Sequence, residues 1–154
     1  MQIRRAKPDE APTLTEIAFA AKRHWGYPEQ WMESWNHVLT MQPEFIAGHE
    51  TYTAFLDGLP VGFYALKPGL NRMHLEHLWV LPEAMRRGVG RALFVHALGR
   101  MKACGFSTLE IESDPNAAGF YERMGARQVG AAVTELAGQT RELPVFVYEI
   151  GHAA

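Results

Sequence analysis

The run Arg86-Arg87-Gly88-Val89-Gly90 sets two guanidinium groups beside a Gly-x-Gly turn, a combination suited to holding an anion. It follows Leu78-Trp79-Val80-Leu81-Pro82, an apolar stretch that stops at a proline, and it precedes Arg91-Ala92-Leu93, where apolar residues take up helical spacing. The segment therefore reads as a strand, a loop and the start of a helix. The first amides of a helix have no partners inside it and stand at the positive end of its dipole, so they attract an anion. Glycine removes the Cβ atom that would hold a phosphate off the backbone. Arg86, Arg87 and Arg91 add charge-assisted donors at the same place. The turn lacks the Gly-Lys-Ser/Thr ending of a P-loop, and the third glycine of a dinucleotide fingerprint is replaced by Leu93. Taken alone, the turn fits either an anion site or a solvated basic surface.

Other reactive groups lie close by in sequence. On a strand from Arg72 to Val80, strict alternation puts His74, Glu76, Leu78 and Val80 on one face and His77 on the other. That separation argues against a metal site in His74-Leu75-Glu76-His77, and no metal is expected. Glu110 and Glu112 share a face of a later strand and could hold a water between them. The stretch Lys22-Arg23-His24-Trp25-Gly26-Tyr27 is rich in large amphipathic groups and falls between two helices, where loops carry function. Trp31 and Trp35 stand at helical spacing and are assigned to packing.

The elements that must position these groups can be read from periodicity. Gln2 to Ala6 alternates as a strand. Asp9 offers an N-cap to a helix whose apolar face is Leu14, Ile17, Ala18 and Ala21. A second helix is predicted from Pro28 through Trp31, Trp35, Val38 and Leu39. Thr51 to Asp57 and Val61 to Leu66 form a hairpin around Gly58-Leu59-Pro60. After the strand ending at Val80, a helix carries Val89, Leu93, Phe94, Ala97, Leu98 and Met101 on one face and closes at Gly105. A strand from Thr108 to Ser113, a short helix from Ala117 to Met124, and strands near Arg127 to Glu135 and Leu143 to Ile150 complete the order. A meander followed by crossovers implies a mixed α/β (α+β) sheet with helices on both faces.

The chain has 154 residues, of which 47% are hydrophobic and 21% charged, the composition of one ordinary globular domain spanning 1–154. A net charge of −2 gives no general reason to expect nucleic acid or an acidic membrane as a partner, so any anion site is local. Cys104 stands alone, which excludes an internal disulfide and fits a reducing compartment. There is no leader pattern and no apolar run of spanning length, so a cytoplasmic location is expected.

The segment Met85 to Gly90 resembles the acetyl-CoA signature of the GCN5-related N-acetyltransferases, Gln/Arg-x-x-Gly-x-Gly/Ala between the fourth strand and the next helix. Met85 departs from the usual Gln or Arg. A second block, Asp114-Pro115-Asn116 through Tyr121 to Gly125-Ala126, is similar to the family's Asn-containing loop, its Tyr and its closing Gly-Phe. The family's Asn stands seven residues before the Tyr, where this chain has Asp114; Asn116 stands five before it. Arg141-Glu142-Leu143-Pro144 before the last strand is also seen in many members.

The resemblance implies a sheet of about seven strands whose fourth and fifth splay apart to admit pantetheine. It implies acetyl-CoA as co-substrate and an amine as acceptor, with coenzyme contacts from Leu78, Trp79, Val80, Arg86, Arg87, Gly88, Val89, Gly90, Arg91, Ala92, Asn116 and Tyr121. Leu78 and Val80 would pair with pantetheine, and the Val80 amide would face the thioester oxygen. Tyr121 would be the acid for the departing thiolate and Glu76 the leading base. His24, Trp25 and Tyr27 would line the acceptor pocket, with Trp79 joining from the central strand. A non-catalytic acyl-CoA sensor on the same fold is the alternative, and a nucleotide-binding α/β enzyme or an interaction scaffold are more distant ones. The late strands could pair two copies into a homodimer at the sheet edge.

Overall fold

The computed structural model describes residues 1–151; the expectation of one domain over 1–154 includes 152–154, which lie outside the described residues. Strand β1 (Gln2–Arg5) leads through a single 3-10 turn at Pro8–Glu10 into α1 (Ala11–Arg23). Three short helices follow: α2 (Glu29–Ser34), α3 (Asn36–Leu39) and α4 (Pro43–Gly48). Then come β2 (Glu50–Leu56), β3 (Leu59–Pro68), β4 (Met73–Val80), α5 (Val89–Ala103), β5 (Thr108–Glu112), α6 (Ala118–Arg123), β6 (Arg127–Leu136) and β7 (Gln139–Glu149). The strands form one seven-stranded sheet in the order β1-β2-β3-β4-β5-β7-β6. Only β4 and β5 pair in parallel; the other neighbours are antiparallel.

Each face of the sheet carries its own core. On one, Val89, Leu93, Phe94, Ala97 and Met101 of α5 pack with Tyr64, Met73, Leu109, Ile111 and Phe146. On the other, Leu14, Ile17 and Ala18 of α1 pack with Met32, Leu39, Ile46 and Phe63. The helical stripes of α1 and α5 are therefore the ones the sequence spacing predicts. Among the described residues, no helix is long and apolar enough to cross a membrane.

Several local expectations are corrected. The turn before α1 is closed by the Lys7 amide donating to Glu10 Oε1 at 2.6 Å, so Asp9 lies inside the turn and is not the cap. The predicted helix from Pro28 to Leu39 is broken at Trp35, whose backbone leaves the helical region at φ −91° and ψ 0°. Pro43 then starts α4, which the periodicity did not predict. The hairpins β2–β3 and β6–β7 each turn on two residues of positive φ, Asp57-Gly58 and Ala137-Gly138. The first turn sits one residue before the expected one, and the second lengthens both late strands into an arm.

The strand that matters most is β4. It pairs with β5 only at Met73↔Leu109 and His74↔Glu110. Beyond that point β4 follows β3 up to Gly62↔Val80, while β5 follows β7 up to Glu112↔Val145. The two strands part, and the sheet opens between them as the family resemblance implies. In β4, Ala65↔His77 adjoins Leu66↔Leu75, which leaves Glu76 unmatched as a bulge. The bulge resets the alternation. Met73 and Leu75 before it and Leu78 and Val80 after it all face the α5 core, while Trp79 packs with Phe63 on the α1 side. His74, set between Met73 and Leu75, falls on the face of His77, so the expected division of the two histidines does not hold.

Candidate active site

The start of α5 takes its shape from two residues with left-handed backbone. Gly88, the N-cap, has φ 80° and offers no side-chain cap, so the first helical amides are left to a ligand. Arg86, at φ 64°, is a non-glycine residue held where L side chains rarely sit. Gly90 is glycine for a different reason: a Cβ there would come within 3.3 Å of the Phe120 ring, so its absence lets α5 settle against α6.

From this helix start a cavity of about 590 Å³ runs down the opening between β4 and β5. Of the residues predicted from sequence, it is lined by His24, Trp25, Glu76, Leu78, Trp79, Val80, Arg86, Gly88, Val89, Gly90, Arg91, Asn116 and Tyr121. Arg87, Ala92 and Tyr27 do not line it. Arg87 is exposed outside the cavity. The Ala92 amide donates to the Gly88 carbonyl at 3.0 Å and is thereby withdrawn from any ligand. Charge is divided along the cavity: Arg86, Arg91 and Arg123 stand toward the α5 and α6 end, and Glu76, Glu112 and Asp114 toward the strands.

Tyr121 is buried, with its ring against Phe94, Phe120 and Phe146. Burial raises its phenol well above the usual range, with the Asp114 charge adding to the effect, so the hydroxyl keeps its proton. That hydroxyl has no hydrogen-bond partner among the described residues, yet it is not among their sealed polar atoms, and Tyr121 lines the cavity. Glu76, on the bulge, is exposed and lines the same space. Glu110 is committed elsewhere: Arg72 donates to Oε1 at 3.2 Å and His74 Nδ1 lies 3.1 Å from Oε2. Glu110 and Glu112 therefore do not act as a pair, and only Glu112 reaches the cavity.

Tyr27 belongs to a network that sequence reasoning missed. Lys22 donates to Asp114 Oδ2 at 2.6 Å, and the Tyr27 hydroxyl donates to the same carboxylate at 2.9 Å. The Asn116 amide and its Nδ2 donate to Oδ1 at 2.8 and 3.0 Å. Arg141 reaches the Tyr27 oxygen at 3.4 Å and lies over the rings of Tyr27, Trp31 and Trp35. Lys22 lies 4.0 Å from the centre of the Trp35 ring. Trp31 and Trp35 do pack, as expected, but what they pack around is charge. Burial raises Tyr27 to about 12, with the Asp114 hydrogen bond adding to it. Burial alone would raise Asp114, but Lys22 and the hydrogen bonds from Asn116 and Tyr27 hold it below its ordinary value. Burial also lowers Lys22, against the pull of Asp114. The contacts span 92 and 114 positions of sequence, so no local signal announces them. Asp114 is thus consumed by the protein itself, while Asn116 lines the cavity and its side-chain oxygen has no hydrogen-bond partner among the described residues.

A family model described as the Acetyltransferase (GNAT) family matches residues 13–126. The peptidyl-lysine N-acetyltransferase YjaB of Salmonella typhimurium is 32% identical over 89 residues, which are 58% of this chain and 57% of that protein. The peptidyl-lysine N-acetyltransferase YiaC of Escherichia coli is 26% identical over 132 residues, 84% of this chain and 86% of that one. Among solved structures, a GCN5-related N-acetyltransferase from Rhodopseudomonas palustris has a TM-score of 0.83 at 24% identity, covering 97% of this chain and 95% of that one. The PaiA N-acetyltransferase of Thermoplasma acidophilum, solved with coenzyme A, has a TM-score of 0.78 at 22% identity, covering 97% and 98%.

Proposed function

The chain belongs to the acetyltransferase (GNAT) family, and from that membership we propose that it moves an acetyl group from acetyl-CoA to the primary amine of a lysine side chain, by direct attack in a ternary complex. That it is an acetyltransferase that binds acyl-CoA follows from the family; the acetyl donor, the lysine acceptor and the residue roles are the proposal. The names of the two curated relatives support lysine as the acceptor. The observation that carries the reading is the single cavity that joins an amide-rich, basic helix start to an acidic strand opening.

The residues suit the coenzyme along its length. The unpaired amides at the start of α5, with Arg86 and Arg91, fit a pyrophosphate. The edge of β4 from Leu78 to Val80 has no partner on the β5 side, and pantetheine, which hydrogen-bonds much as a peptide does, fits such an edge. When bound, acetyl-CoA supplies an activated acyl group as a thioester. A backbone amide of β4 is suited to the thioester oxygen, where charge grows during attack. Glu76 takes the proton of the entering ammonium so that the amine attacks neutral. The new N–C bond forms as the C–S bond breaks; Tyr121, still protonated, gives its proton to the leaving sulfur, and the second proton, shed by the nitrogen as it becomes an amide, restores the phenol by way of solvent in the cavity. His24 and Trp25 wall the acceptor entrance. The lone Cys104, which is exposed, is consistent with a reducing cytoplasm.

The test is a panel of amines, with a lysine peptide among them, in which release of free CoA thiol is followed. The lysine peptide is expected to have the highest kcat/KM of the panel. Turnover of a different amine class alone would overturn the acceptor assignment.

A further inference from the structure

His77 stands on β4 on the α1 side of the opening, lines the cavity, and has no part in the transfer as described. Its Nδ1 accepts the Trp79 indole N–H at 3.0 Å. An indole nitrogen can only donate, so the Nδ1 lone pair is taken and the neutral ring carries its proton on Nε2. Burial pushes the imidazolium down to about 4, which leaves the neutral ring at physiological pH. The ring is held by Phe45 and Phe63, each with its centre 6.0 Å away. Nε2 has no hydrogen-bond partner among the described residues, yet their one sealed and unpartnered side-chain polar atom is Thr53 Oγ1. Nε2 is therefore not sealed off, and His77 is one of the residues that line the cavity. A protonated donor that nothing among the described residues receives thus belongs to a residue of the cavity wall.

We infer that His77 binds the acceptor: its Nε2–H donates to an oxygen of the acceptor molecule, and the site favours amines that carry a carbonyl or hydroxyl within reach over plain alkyl amines. With both ring nitrogens committed, His77 cannot take the proton of the amine, so its work is separate from that of Glu76. A donor that a bound ligand cuts off from water and leaves unmatched discriminates against that ligand. A lysine held between peptide bonds offers such oxygens at the end of its four-carbon stem, so the inference rests on the proposed transfer to lysine and narrows it.

The experiment compares Nα-acetyl-lysine methylamide with n-butylamine as acceptors, using the wild type and His77→Phe, which keeps a ring against Phe45 and Phe63. The variant is expected to lower kcat/KM for the lysine amide about tenfold, the worth of one hydrogen bond to a buried donor, and to change that for n-butylamine less than about twofold. An equal fall on both, or no fall on the lysine amide, would overturn the inference, because a wall residue without a polar contact acts on both alike. A second measurement needs no turnover. The 15N resonances of the His77 ring at pH 7 are expected to show Nε2 protonated and Nδ1 bare. A ring protonated at Nδ1 would overturn the inference even if transfer to lysine stands. Absence of wild-type turnover with either amine, beside an Nε2-protonated ring, would instead count against the lysine reading.

Discussion

In the proposed transfer Tyr121 and Glu76 serve opposite ends of one proton path, so replacing them should give different kinetic signatures. Tyr121→Phe keeps the ring among Phe94, Phe120 and Phe146. It is expected to lower kcat by about a hundredfold, the usual worth of a positioned acid, with the KM for acetyl-CoA nearly unchanged. Equal kcat in that variant would remove Tyr121 from the chemistry. Glu76→Gln is expected to lower kcat/KM by a similar factor at neutral pH. Glu110→Gln should leave it within about twofold, because Arg72 and His74 already engage that carboxylate. Steady-state kinetics of both variants decide the matter; a greater loss in Glu110→Gln would reverse the assignment. The place of Tyr121 on the cavity wall agrees with its spacing to Gly125, but its freedom from partners among the described residues needed coordinates. The role of Ala92 was misread for the same reason, since the helix takes its amide back.

At the scale of elements, the site is a helix start set against a strand that has lost one neighbour. The turn at Arg86 to Gly90 was readable because glycine, arginine and helical spacing converge within a few residues. The bulge at Glu76 was not readable: an extra residue in one strand is visible only against the register of its partner, and it moved His74 to the other face. The break at Trp35 was hidden likewise, because Trp31, Trp35, Val38 and Leu39 keep helical spacing straight through it. Gly88→Glu tests the helix start. A side chain there meets nothing within 4 Å, and its backbone strain at φ 80° amounts to about 1–2 kcal/mol. The variant is expected to keep its circular dichroism and to lose acetyl-CoA binding in calorimetry, since a carboxylate would stand where the proposed reading puts the pyrophosphate. Unaltered affinity in the folded variant would move the coenzyme elsewhere.

For the molecule as a whole, the Lys22–Asp114 pair links the end of α1 to the end of β5 across the sheet opening, with Arg141 of the late hairpin closing the cluster. Both side chains are only 10% exposed, so removing one partner strands a buried charge. Lys22→Met is expected to cost about 3 kcal/mol in denaturant unfolding. Lys22→Met/Asp114→Leu should recover part of that loss; an unchanged stability for Lys22→Met alone would mean the pair is idle. The pH dependence follows from the depressed carboxyl of Asp114. Its contribution is complete above the ordinary carboxylate value near about 3.9 and is lost as pH falls through the lower folded value. Acid unfolding of the wild type should therefore steepen below about pH 4, and in Asp114→Asn that segment of the profile should flatten. The order of elements along the chain and the apolar faces of α1 and α5 were legible because hydrophobic period is local information. This cluster was not, because it joins residues from both ends of the chain.

Acetyl transfer within one cavity would leave its mark on the mass of the product. A lysine peptide incubated with acetyl-CoA and the protein should gain a single acetyl group on the lysine amine, with one free CoA released for each peptide modified, and Tyr121→Phe should slow both together. Coenzyme bound without any gain of mass on the peptide, or CoA released without it, would contradict the claim.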